Sequence, residues 1–239
     1  LLRRPPGREA YPGDIFYLHS RLLERACKLS SRISEGGGDE DGGSSLTALP
    51  IVETQRGDIS AYIPTNLISI TDGQIVLDTD MFNRGIKPAV DAGDSVSRVG
   101  GKAQTPAMRE VSGRLRLDLA QYESVSRFAR FGTEVDETTR QQIQRGQRLQ
   151  KALTQPPHQP RSLAAQILIL LAVAEGVLDD IETERVMAFE ERLVTMFEKK
   201  YPGLYAQLDR EGELTEEISA AFAGTMSEVR QAWFEERSS

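Results

Sequence analysis

Apolar residues recur at helical spacing after Pro12, at Phe16, Leu18, Leu22, Leu23 and Ala26, with Arg and Glu between them. That spacing predicts an amphipathic helix over 15–29. Leu46 to Glu53 is a short apolar run containing Thr and Val and predicts a buried strand. Leu67-Ile68-Ser69-Ile70, Thr71-Asp72-Gly73 and Gln74-Ile75-Val76-Leu77 then predict strand, turn and strand, because an Asp-Gly step suits a tight turn. Strands interleaved with helices imply an α/β layer architecture over residues 1–104. From about Thr105 the pattern changes. Long amphipathic segments follow one another over 105–116, 118–130, 136–153, 161–177, 183–200 and 214–235. Gly132, Pro156-Pro157, Gly176, Pro202-Gly203 and Gly212 mark breaks or caps between them, so residues 105–239 read as a helical bundle.

Composition narrows the class. Of 239 residues, 39% are hydrophobic and 27% charged, which suits a globular chain with a real core. A net charge of −7 argues against a nucleic-acid partner. Cys27 is the only cysteine, which excludes an internal disulfide and points to a reducing compartment. With His19 and His158 the only histidines, a structural zinc site lacks ligands, and no metal site is expected. The longest apolar stretch, Ala164 to Ala174, carries Gln166 and falls short of the roughly 20 apolar residues of a membrane span. It reads as a buried core helix. Glu35 to Ser45 is acidic and glycine-rich, a composition that cannot pack a core and reads as a solvated loop. The opening Leu1-Leu2-Arg3-Arg4-Pro5-Pro6 has neither an initiator methionine nor the pattern of a signal peptide, and reads as the middle of a longer chain.

Candidate chemistry centres on Ser95-Val96-Ser97-Arg98-Val99-Gly100, where one arginine follows an apparent strand with small residues on both sides. A guanidinium presented from such an edge can meet a phosphate in a neighbouring subunit with a planar, permanently charged fork. A surface salt bridge is the alternative for an isolated arginine. No G-x-x-x-x-G-K-[ST] loop occurs, so nothing in the sequence cradles a triphosphate with backbone amides and a lysine. Glu175, Asp179 and Asp180 fall around a helix end and read as solvated charges, and Arg8 with Glu9 as a structural or interface pair. Arg140, Arg145 and Arg148, among glutamines, read as a solvated face, and Trp233 as a packing anchor.

The block from Arg3 to Arg25 closely resembles the alpha subunit of F-type ATP synthases. So do Ser45 to Pro50, Ile63 to Asn66, Ile68 to Gln74 and Ser95 to Gly100, in the same order. The resemblance is dense to about residue 150 and looser afterwards. It implies the second part of a RecA-like P-loop nucleotide-binding domain, followed by an all-helical domain. The P-loop and a β-barrel domain would lie upstream of Leu1. It implies an alternating hexamer with beta subunits, contacts with gamma and delta subunits, and ATP synthesis driven by a transmembrane proton (or sodium) gradient. Arg98 would be the arginine finger for the adjacent beta-subunit site, with Ser95 and Ser97 positioning it. A trans arginine of this kind stabilises a loose phosphoryl transition state by roughly 10³–10⁵ in rate.

The same resemblance implies a non-catalytic site for ATP or ADP with Mg²⁺. Its adenine pocket maps onto Phe82, Lys87-Pro88 and Gln155-Pro156-Pro157, where Phe82 and Pro88 can sandwich a purine. Pro157 stands where the family has a second glutamine, so one polar adenine contact is missing. Gly100 to Gln104 is similar to an alternative, ion-specific branch of the family. The expected location is peripheral, on the cytoplasmic face of a bacterial plasma membrane or the equivalent organelle membrane, reached only through the complex. Two rival classes are an alpha-like adapter without nucleotide chemistry, and a self-sufficient ATPase, which the missing P-loop argues against.

Overall fold

The computed structural model describes residues 5–30, 43–129 and 136–238. Glu35–Gly42 of the acidic segment, the Arg3-Arg4 pair and Gly132 lie outside them. The chain divides into two compact units, Leu1–Gln74 with Ser97–Val99, and Ile75–Val96 with Gly100–Ser239.

In the first unit α1 (Ile15–Leu23) packs on α2 (Tyr62–Ile70). α1 stops short of the expected Leu29, because Cys27–Leu29 turns away to pair with Ser44–Leu46. Leu29 donates its N–H to Ser44 O at 2.9 Å, and Leu46 donates to Cys27 O at 2.9 Å. The strand expected over Leu46–Glu53 does not form beyond that bridge. Among the described residues no neighbouring strand carries its backbone groups, and Leu49 and Ile51 are exposed. Leu67–Ile70 is helix, not strand. Apolar Ile63, Leu67 and Ile70 stand four and three apart, and Thr71 Oγ1 back-bonds to Leu67 O at 2.7 Å to end α2. Pro64 is tolerated in the first turn, where its missing N–H has no intrahelical partner. β1 (Gly73–Gln74) pairs with β2 (Val96–Ser97), which returns Ser97–Val99 to this unit.

The second unit begins with a bridge between Leu77 and Val90, the remnant of the strand expected at Gln74–Leu77. Between them lies α3 (Thr79–Asn83), whose N-cap Asp78 accepts the Met81 N–H at 2.6 Å. After α4 (Gly100–Ala103), the helices are α5 (Pro106–Ser112), α6 (Leu115–Ala129), α7 (Glu137–Ala152) and α8 (Leu163–Ala174). Two 3-10 turns, Val177–Asp180 and Thr183–Arg185, lead to α9 (Val186–Lys200), α10 (Pro202–Glu211) and α11 (Glu216–Ser238). Thr105, Asp136 and Ser162 each accept a backbone N–H from the first turn they cap. Gly176 and Gly212 adopt the left-handed conformation that ends α8 and α10.

α8 is the centre of the core: Ile167, Leu168 and Ala172 are fully buried, in one apolar cluster with Phe189, Leu193 and Phe197 of α9, Leu208 of α10 and Phe222 of α11. Each such large side chain contributes about 1.5–3 kcal/mol on burial. α10 is an addition to the segments expected from the sequence, where Pro202-Gly203 marks a break or cap and no helix is placed over 202–211. Proline at the first helical position starts a helix as readily as it ends one. Trp233 packs edge-on to Phe189 at 5.3 Å with Arg185 stacked on its ring, as expected of an anchor. Arg148 departs from the expected solvated face: its Nε donates to Ile181 O at 2.7 Å in a half-buried site. Arg140 pairs with Glu137 in solvent, Arg145 stands 3.9 Å from Asp179, and Asp180 is paired with Arg230.

Candidate functional site

Arg98 follows β2 directly. Its backbone N–H donates to Asp72 O at 2.8 Å, which fixes where the side chain leaves the chain. The guanidinium is exposed. Its Nη2 reaches Ile68 O at 3.5 Å, the far limit of a hydrogen bond, and among the described residues no carboxylate pairs with it. A cation held by its backbone and left open at its head is suited to meeting an external anion. Ser97 is exposed in β2 itself. Ser95 belongs to the second unit, where its Oγ accepts the Val76 N–H at 3.0 Å and its own N–H goes to Asp91 O at 3.1 Å. Asp91 also gathers the N–H groups of Gly93 and Asp94 on Oδ1, a loop-shaping role that the sequence reading missed. An Asx turn is legible in Asp-Ala-Gly-Asp, since Asp accepts from backbone two and three residues on.

A second cluster lies wholly in the second unit. Phe82, on α3, is 54% exposed, with the Lys87 ammonium 4.3 Å from its ring centroid. The Lys87–Pro88 peptide is cis, and Lys87 O accepts the Gln155 N–H at 2.8 Å. Four residues from distant parts of the sequence thus meet: Phe82, Lys87 and Pro88 at one end, Gln155 beyond α7 at the other. An aromatic ring, a proline edge and a side-chain amide fit a purine base. They do not fit a triphosphate, and the nearby cavity of about 350 Å³ does not supply that need. Asp78, Asp80, Asp91 and Glu123 line it with Arg84, so its field repels phosphate.

A third feature lies deeper. Glu190, in the middle of α9, is 1% exposed, and its Oε2 accepts from Arg161 Nη2 at 3.0 Å. Its Oε1 is buried with no hydrogen-bond partner. Burial pushes the carboxyl up to about 7, although the Arg161 guanidinium draws it down. Arg161 also donates from Nη1 to Ala152 O at 2.9 Å and directs Nη2 towards Thr154 O at 3.5 Å. The sequence does carry a signal for Glu190. It occupies the apolar stripe of α9 with Val186, Phe189, Leu193 and Phe197, where a carboxylate is out of place.

Residues 1–97 match the nucleotide-binding domain of the ATP synthase alpha/beta family, and residues 104–229 match the C terminal domain of the ATP synthase alpha/beta chain. The fold is therefore that of a nucleotide-binding domain followed by an all-helical domain. The chain belongs to the ATP synthase alpha/beta family, whose members work within multisubunit complexes peripheral to a membrane. Among the described residues no helix is long and apolar enough to cross one.

Proposed function

We propose that this chain is the non-catalytic, alpha-type subunit of an F-type rotary ATP synthase, and that Arg98 is its arginine finger. The observation that carries the reading is the exposed guanidinium of Arg98, fixed through its backbone to Asp72 and free of any carboxylate among the described residues. In an alternating ring with beta subunits, this fork enters the neighbour's site and stabilises the charge that spreads over the transferring phosphoryl group. Ser97, the last residue of β2, holds the approach open with a small side chain, and Ser95 shapes the loop leading to it. The domain boundary falls near residue 104, in keeping with the gap between the two matched segments.

Phe82, Lys87, Pro88 and Gln155 hold the adenine of a non-catalytic ATP or ADP. The Mg²⁺ and phosphates would be carried by the P-loop part of the domain, which this sequence does not contain. When bound, the nucleotide contributes a fixed polyanion to the assembly and takes no part in turnover. The chain's own residues stack the base and, through the Gln155 side-chain amide, orient its ring-nitrogen and amino edge. Contacts with gamma and delta subunits, coupling to a proton gradient and a peripheral place on the cytoplasmic or equivalent face of the membrane complete the reading.

Arg98→Ala in the complex assembled with beta subunits tests it. Multi-site ATP turnover should fall by roughly 10³ or more while assembly, seen by native mass, is retained. Arg98→Lys should not restore it, because an ammonium cannot reproduce the planar fork. Full turnover in Arg98→Ala removes the finger and favours an adapter without nucleotide chemistry.

A further inference from the structure

Gln155 reaches the purine cluster on a short connection between α7 and α8, and that connection is held from within the core. Arg161 stands one residue before the N-cap of α8 and reaches back to the beginning of the segment, to Ala152 O at 2.9 Å and towards Thr154 O at 3.5 Å. The same Nη2 is bonded to Glu190 Oε2 at 3.0 Å. On the other side, the Gln155 N–H is spent on Lys87 O at 2.8 Å. A single chain of polar contacts therefore runs from a buried carboxylate on α9, through a guanidinium, to two carbonyls just before Gln155.

The pair is a poor device for stability. Burying two charges costs more than their attraction returns unless every lone pair is satisfied, and Glu190 Oε1 is left without a partner. What such a pair does supply is a fixed geometry at the carbonyls that Arg161 holds. Deepening the reading of Phe82, Lys87, Pro88 and Gln155 as a purine pocket, on which this inference rests, we propose that Glu190 is a positioning residue. Acting through Arg161, it holds the Ala152–Gln155 segment in register with Lys87 and so sets the grip on the base.

The charge on Glu190 governs that hold. Arg161 is the charged group that meets it. Charged groups on the other elements packed against α9 are engaged elsewhere: Arg148 of α7 with Ile181 O, Arg185 with the Trp233 ring, Asp209 of α10 with the Ala164 N–H, and Glu228 of α11 with Lys200. Because burial raises the carboxyl to about 7, it is ionised above neutrality and protonated below. Ionised, it makes a charge-assisted bond to Arg161. Protonated, it makes a weaker one, and the segment loosens.

Amide hydrogen exchange of the full chain at pH 6 and pH 8, corrected for intrinsic exchange, tests this in the wild type and in Glu190→Gln. Protection of the Gln155 amide should fall about tenfold in Glu190→Gln at pH 8, the difference between a charged and a neutral hydrogen bond. The wild type at pH 6 should approach the variant, while amides within α8 and α9 hold or gain protection. A general fall across α8 and α9 would mark a merely structural pair and overturn the proposal, as would an unchanged Gln155. The wild-type comparison needs no substitution and decides the matter if the variant fails to fold. Radiolabelled ATP binding to the chain in its assembled complex is measured in parallel. A matched loss of affinity in Glu190→Gln extends the effect to the base. Absence of binding by the wild type sinks the purine pocket, while the exchange result still decides whether Glu190 positions Gln155.

Discussion

Glu190 sits where every neighbour along its helical stripe is apolar, and its carboxyl therefore titrates at about 7 in the fold against 4.5 for the free side chain. Between those two values the folded chain binds more protons than the unfolded one. Stability must then fall as pH rises from about 4.5 to about 7, and stay level above. The full span is on the order of 3 kcal/mol. Trp233, the single tryptophan, lies against Phe189 and reports on this region directly. Urea unfolding followed by its fluorescence should show the wild type less stable at pH 8 than at pH 5, with the difference largely removed in Glu190→Gln. An identical pH profile in the variant would assign the dependence to some other group. The protonation that stabilises the fold is thus the one expected to release the segment carrying Gln155.

Gly146 decides how closely α6 and α7 approach. A side chain there would run into the Tyr122 ring, and α7 has no room to withdraw without losing Leu149 and Ala152 from the core. Gly146→Ala gains about 0.5–1 kcal/mol of helix propensity, but the overlap costs about 1–3 kcal/mol. The net expectation is a loss of about 1–2 kcal/mol in urea titration, turning to a gain when Tyr122→Ala opens the space. α7 was legible in the sequence because Ile143, Leu149 and Ala152 stand at helical spacing among polar residues, α9 for the same reason, and α8 because its apolar run is longer than a strand. Short runs were not. Leu67-Ile68-Ser69-Ile70 looks alike as one turn of helix or one buried strand, and the caps and back-bonds that settle it lie outside the run. Leu46–Glu53 has strand composition, yet a ladder needs a partner that composition cannot name. Of the candidate site, Arg98 was visible through its small neighbours. The junction of Lys87 with Gln155 is a backbone bond between distant residues and leaves no side-chain signature; the family resemblance alone joined them. Glu190 could have been read from its misplaced charge.

The two units differ in how much they bury. Among the described residues of the first, Ala10, Gly43 and Pro64 reach full burial, whereas the second encloses a continuous core from Ala107 to Trp233. Local opening follows buried contact, so amides of α1 should exchange on the order of a thousandfold faster than those of α8 in the 239-residue chain. Equal protection would mean that α1 draws on stabilisation its own contacts do not supply.

The helical domain is also closed by a seam between its beginning and its later helices. Ala107 donates its N–H to Gly212 O at 2.9 Å, and the Thr105 side chain lies against Gly212 where a Cβ would stand. Contacts between residues so remote in sequence form at a cost in loop closure that shorter-range contacts do not bear. On that ground α5 is expected to dock after α8 to α10 have assembled, with the seam forming on the far side of the folding barrier. Weakening it should then leave the folding rate almost untouched and quicken unfolding, so this seam bears on how long the domain stays folded more than on how fast it forms.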